Sequence, residues 1–142
     1  MRFVGRVFKV GRHWAIEVPI LGVVTQGRTR KEAFEMIADA IEALANKEGF
    51  RVEVFPGDGE YIEVGSSNLA TLTALLLRRQ RVRRGLTLSD VTKRMGAKSL
   101  NSYARYEQGR SVPSIERLSQ LLAAVCQGDE FVLTESHARR AV

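Results

Sequence analysis

The chain is poor in the side chains that usually carry covalent or metal chemistry. It has two histidines, His13 and His137, at opposite ends, and one cysteine, Cys126. There is no Cys pair and no His-x-His spacing, so no zinc ligand set can be assembled from neighbours in sequence. No nucleophile elbow stands between a strand pattern and a helix pattern. A metal held on strand carboxylates would need several of them, and the central hairpin supplies only Glu17. The expectation is a protein that is not an enzyme, with no catalytic residue, no metal and no cofactor. The chain does offer a compact row of groups suited to recognition: Lys98, Ser99, Leu100, Asn101, Ser102 and Arg105. An Asn can bond adenine in a bidentate way, an Arg can do so with guanine, and an apolar side chain can touch a thymine methyl.

Charge points in the same direction. Residues 1–67 carry nine Lys or Arg against ten Asp or Glu, a net of −1, whereas residues 68–142 carry thirteen against six, a net of +7. Such a split suggests two modules with different partners, the second suited to a polyanion. The overall charge is +6 with 44% hydrophobic residues, enough apolar material for one domain or two small ones. One cysteine allows no internal disulfide. No apolar run approaches the roughly 18 residues of a membrane span, and MRFVGRVFKVGR has no signal-peptide core. The expected compartment is the cytoplasm.

The elements that must position the recognition row lie between Gly85 and Pro113. Thr87 and Asp90 are spaced as a capping box. Leu88, Val91 and Met95 recur at helical spacing, and Gly96 follows where a left-handed residue can end the helix. Ser99 can open the next helix, which carries Tyr103 and Tyr106 toward a core and stops at Gly109. Pro113 sits at the start of a further helix with an apolar face of Ile115, Leu118, Leu121, Leu122 and Val125. Beyond Gly128, Phe131-Val132-Leu133 is either a short strand at a dimer interface or packing on its own domain, and the tail after Glu135 reads as frayed.

From about Leu75 to Val125 this pattern resembles the helix-turn-helix of the Cro and phage-repressor type, the xenobiotic-response-element family. The landmarks are Arg81 before Gly85-Leu86-Thr87, then Met95-Gly96-Ala97, then Tyr106-Glu107-Gln108-Gly109, then Pro113-Ser114. Three positions depart from it. Leu88 stands where the family usually has Gln, Thr92 replaces a small Ala, and the segment between Gly96 and Glu107 is one residue longer. The resemblance implies that Asn101 and Arg105 lead the base contacts, aided by Lys98, Ser99, Leu100 and Ser102. It implies phosphate contacts from Arg84, Thr87 and Arg110, an inward ion pair between Arg81 and Glu107, and a dimer on two-fold operator DNA.

The first half reads as two strands, Arg2 to Val10 and His13 to Val18, joined at Gly11-Arg12, with Trp14, Ile16 and Val18 on one face. Val23-Val24-Thr25 adds a short strand. A helix begins at a capping box, Thr29 to Glu32, buries Ala33, Phe34, Ile37, Ile41 and Leu44, and stops at Gly49. Arg51 to Phe55 and Tyr61 to Val64 complete the strands, and Gly65-Ser66-Ser67 is the linker. The predicted fold class is α+β for residues 1–65, a small antiparallel sheet covered by one helix, followed by an all-α helix-turn-helix domain over 66–142. Trp14-Ala15-Ile16-Glu17-Val18-Pro19, Leu21-Gly22, Thr25-Gln26-Gly27-Arg28-Thr29, Glu32-Ala33 and Ala40-Ile41 look like HicB-type antitoxins, whose fold is similar to a degenerate ribonuclease H layer. Val23 replaces a frequent Cys, and the Gly11-Arg12 turn is short for the family. The resemblance implies a type II antitoxin that occludes a small basic, messenger-cleaving HicA-like toxin and represses its own operon. Glu35, Asp39 and Glu42 then suit the toxin, or are an ordinary solvated face. The rival readings are a stand-alone regulator whose first domain dimerises or senses another partner, and a toxin-binding module whose helix-turn-helix now serves protein contacts.

Overall fold

A computed structural model describes residues 1–139. Two compact units emerge: Met1–Asn68 together with residues 134–139, and Leu69–Leu133. The fold is α+β.

In the sheet unit, β1 (Arg2–Val10), β2 (His13–Val18), β3 (Val23–Gly27), β4 (Glu53–Pro56) and β5 (Tyr61–Gly65) form one sheet in the order β3-β2-β1-β5-β4. Every neighbouring pair is antiparallel. The period of two sorts the side chains. Phe3, Val7, Ile16, Val18, Val23, Ile62 and Val64 are buried on one face, where α1 (Arg30–Ala45) lays Ala33, Ile37 and Ile41 against them. Full burial of each large aliphatic side chain contributes about 1.5–3 kcal/mol. Thr29 caps α1 by accepting from the Glu32 N–H at 3.0 Å. The Glu32 carboxylate reaches one residue further back than a capping box does, to the Arg28 N–H at 2.7 Å. Gly27 matters for space: a Cβ there would lie 2.4 Å from the Ala33 nitrogen, so β3 can run into the first turn of α1 only without a side chain.

Three local expectations are corrected. The helix ends at Ala45, not Gly49, because Asn46 turns left-handed (φ 47°) and donates its N–H to the Glu42 carbonyl. The Gly65 end of the supposed linker belongs to β5 and pairs with Arg2 and Glu53. The tail is not frayed over its described part: Ala138 bridges Gly57, and the Arg139 N–H donates to the Pro56 carbonyl at 2.8 Å. Residues 140–142 lie outside the described residues.

That tail segment closes over a buried carboxylate. Glu63 is only 2% exposed. It accepts from the Tyr61 hydroxyl (2.5 Å), the Ser136 hydroxyl (2.7 Å), the Arg2 guanidinium (3.2 Å) and the His137 N–H (3.1 Å). Burial alone would raise its pKa, but these donors outweigh it and hold the carboxyl down at about 2. Tyr61 moves the other way, raised by burial and then by its bond to Glu63.

The helical unit holds α2 (Leu69–Arg83), α3 (Leu88–Arg94), α4 (Asn101–Glu107) and α5 (Ile115–Val125). α2 is its central rod, with every residue from Thr71 to Leu77 buried. Val91, Tyr103, Tyr106, Leu121, Leu122 and Val125 complete the core. Ile115 does not join them. It is 83% exposed, because it stands on the first turn of α5 with nothing of the described unit packed over it. Phe131, Val132 and Leu133 form no strand and are exposed. Among the described residues no helix is long and apolar enough to cross a membrane.

Candidate nucleic-acid interface

The site is built from α3, the turn after it, and α4. α3 begins in a complete capping box: the Asp90 N–H donates to Thr87 Oγ1 at 3.0 Å, and the Thr87 N–H donates to Asp90 Oδ2 at 2.8 Å. The Thr87 N–H is the chief reason the Asp90 carboxyl titrates below its usual range. Thr92, where a smaller residue was expected, is buried and satisfies its hydroxyl by donating to the Leu88 carbonyl at 2.8 Å. Gly96, at φ 68°, turns the chain out of α3. The chain is irregular from Ala97 to Leu100, and the helix itself opens at Asn101 rather than Ser99.

α4 is fixed from behind. Arg81 Nε donates to both Glu107 oxygens, at 3.0 and 2.8 Å, while its Nη1 donates to the Leu86 carbonyl at 2.8 Å. One guanidinium thus joins α2, the turn before α3, and the end of α4. The Glu107 side chain is 6% exposed. The Tyr103 ring is fully buried, and burial together with the Glu107 charge raises its phenol pKa, keeping it protonated. With Tyr103, Ala104 and Tyr106 buried, the opposite face of α4 turns Asn101 and Arg105 outward.

Ser99, Asn101, Ser102, Arg105 and Arg117 line one open cleft of about 250 Å³. Arg105 is held there: its Nη2 donates to the Tyr106 hydroxyl at 2.7 Å, and its guanidinium carbon lies 4.8 Å from the Tyr106 ring centre. That hydrogen bond is the main cause of the lowered Tyr106 pKa, with Arg117 adding to it. Lys98 and Leu100 sit exposed in the preceding turn, outside the cleft lining.

Of the expected backbone contacts, Thr87 and Arg110 are exposed at either side of α3 and α4, with the Thr87 oxygen engaged in its cap. Arg84 has partners within its own unit. Its guanidinium donates to the Gln80 carbonyl and side-chain oxygen and to Asp129 Oδ2 at 2.6 Å, so it is turned onto its own unit. In the sheet unit Glu35 and Asp39 are exposed, whereas Glu42 is half-buried: its Oε1 accepts from the Val52 N–H at 2.9 Å and ties the chain after α1 back to the helix. Among the described residues no three His, Cys, Asp or Glu side chains gather to share a metal ion.

Arg117 was missed by the sequence reading. A signal is present: it stands in the first turn of α5, three residues after the Ser114 cap, where the helix dipole favours acids and disfavours a cation. A charge placed against that preference invites a functional explanation.

With this geometry in view, residues 74–131 match a family profile described as a helix-turn-helix domain. The match covers α3, the turn, α4 and α5 with most of α2, and the carboxyl half of the chain therefore carries a helix-turn-helix domain. No curated protein matches the chain.

Proposed function

We propose that the chain is a transcriptional regulator that binds duplex DNA with α4 in the major groove. The observation that carries this reading is the division of α4 into two faces. Tyr103, Ala104 and Tyr106 are buried and fixed by the Arg81–Glu107 pair, and Asn101 and Arg105 stand outward in a cleft without a carboxylate. Asn101 and Arg105 read base edges, Lys98, Ser99, Leu100 and Ser102 surround them, and Thr87 and Arg110 meet the backbone. One such helix spans only a few base pairs, so the regulator works as a homodimer on a two-fold site. The test is a gel-shift series at low salt, using duplexes selected by the full chain from a randomised pool. Retention of no duplex, selected or random, would reject the reading.

The fuller reading assigns the sheet unit to a small basic toxin of the HicA type and makes the chain its antitoxin and operon repressor. It is favoured by the HicB-like residues running from Trp14 through Ile41, by the near-neutral charge of the first half, and by the outward Glu35 and Asp39 of α1. Co-expression with a small basic protein encoded beside it, scored by pull-down and growth rescue, separates this from a stand-alone regulator. Rescue of growth supports the antitoxin. DNA binding without any rescue leaves the regulator alone.

A further inference from the structure

Arg105 and Arg117 come from different helices yet share one aromatic ring. The Arg105 guanidinium carbon lies 4.8 Å from the centre of the Tyr106 ring and that of Arg117 lies 5.9 Å from it. The two cations belong to one cleft, whose remaining lining is two hydroxyls and an amide, Ser99, Ser102 and Asn101. All five residues can donate hydrogen bonds, and none brings a negative charge. Two guanidinium groups repel one another, and α5 would hold an acid at this position more easily than an arginine. The Tyr106 ring offsets part of that cost by facing both cations. The Ser114 hydroxyl adds to it by accepting from the Arg117 N–H at 3.0 Å, which fixes the first turn of α5. Arg117 also donates to the exposed Gln120 side chain at 3.0 Å, a surface contact that an incoming anion can replace.

We propose that the Arg117 wall of this cleft is a seat for one DNA phosphodiester, with Arg117 as a backbone contact supplied by α5 and Tyr106 as the residue that steadies the Arg117 guanidinium there while holding Arg105 toward the base edges. The inference rests on the DNA-binding reading and deepens it. Arg117 fixes the register of the duplex beside α4, so that Arg105 and Asn101 meet base edges at a constant depth. The seat carries no sequence information of its own, because every phosphate presents the same oxygens.

The experiment compares the full chain with Arg117→Gln, Arg117→Lys and Asn101→Ala. Each is titrated by fluorescence anisotropy on a duplex selected by the wild type and on a scrambled duplex of equal composition, over a salt series. Neutralising one phosphate contributes about 0.9 to the slope of log affinity against log salt. Arg117→Gln should therefore lower that slope by about 1 and weaken binding roughly five- to tenfold at 0.1 M salt, equally on both duplexes. Arg117→Lys should restore most of the slope, and the melting temperature of all three variants should stay close to wild type. An unchanged slope for Arg117→Gln, with Asn101→Ala still impaired on the selected duplex, overturns the phosphate seat and leaves the DNA-binding reading standing. A loss confined to the selected duplex also overturns it, since Arg117 would then be reading a base. Absence of wild-type binding to either duplex removes both.

Discussion

Glu63 in the sheet unit and Glu107 in the helical unit are both carboxylates taken out of water, with opposite kinds of partner. Glu107 is answered by one cation, Arg81, which meets both oxygens. Glu63 is answered by a committee of four: a guanidinium, a phenol, a serine hydroxyl and a backbone N–H. A single partner joins two helices at a fixed angle, which suits a helix that must present one face. Four partners drawn from β1, β5 and the segment after Glu135 gather remote pieces of chain around one point, which suits a sheet whose edges need closing. The lesson is that a buried charge is tolerable only when its partners are complete, and that their number shows what is being held.

The largest effect expected of any single change follows from the simpler pair. Glu107→Ala leaves the Arg81 guanidinium half-buried without its anion and should lower stability by about 3–5 kcal/mol in urea melts. A loss under 1 kcal/mol would mean that the pair orients α4 without stabilising it.

Glu63 gives the next effect, and it depends on pH. Its carboxyl lies at about 2 in the folded chain, below its ordinary 4.5. A depressed folded value contributes stability that is fully present above the unfolded value and disappears as pH falls from about 4.5 through 2. The contribution is roughly 3 kcal/mol at neutral pH. Acid titration of unfolding should show this loss in the wild type, and Glu63→Gln should flatten it while lowering stability at pH 7. A wild type and variant with parallel acid curves would shift the weight to other carboxylates.

A smaller effect is expected in binding rather than in folding. Asn101→Ala and Arg105→Ala should each lose about 1–3 kcal/mol at one base pair and relax the preference there. Equal weakening on every sequence would move that residue to the backbone contacts. Next comes Thr87→Ala, which removes one side of the α3 capping box and should cost about 1 kcal/mol of thermal stability. Ile115→Ser should be nearly silent in melts, within about 0.5 kcal/mol, because Ile115 is exposed. A marked rise in solubility or a change in self-association would give that residue an interface role.

What could be read in the sequence was what depends on near neighbours. β1 and β2 start and stop where the Val- and Phe-rich run Arg2 to Val10 and the alternation of His13 to Val18 place them, since composition and period-two patterning are local. The α3 capping box is equally local, its two ends three positions apart. The Arg81–Glu107 pair spans 26 positions and came into view only through the resemblance of the surrounding landmarks. The partners of Glu63 include residues 61 and 73 positions away, and no periodicity links them. The same limit explains Ile115: helical spacing identifies a stripe, but tertiary packing decides how many of its turns are covered. The partners of Arg84 and Glu42, Asp129 and the Val52 N–H, are not legible in the sequence because they are distant or belong to the backbone. At α4 the residue types are legible, while the cleft wall from α5 is not, because Arg117 reaches it only once the helices have packed.

The bridge between Ala138 and Gly57 has a practical bearing on how the protein can be dissected. β4 is one of the two outer strands of the sheet, and the returning segment occupies the Pro56 carbonyl just where that strand ends. A fragment cut at Asn68 would keep all five strands yet free the Pro56 end of this edge and strip Glu63 of two of its donors. Open edges recruit foreign strands, so such a fragment should be prone to clumping. Grafting residues 134–139 back through a short flexible loop is the design that should yield a well-behaved sheet module.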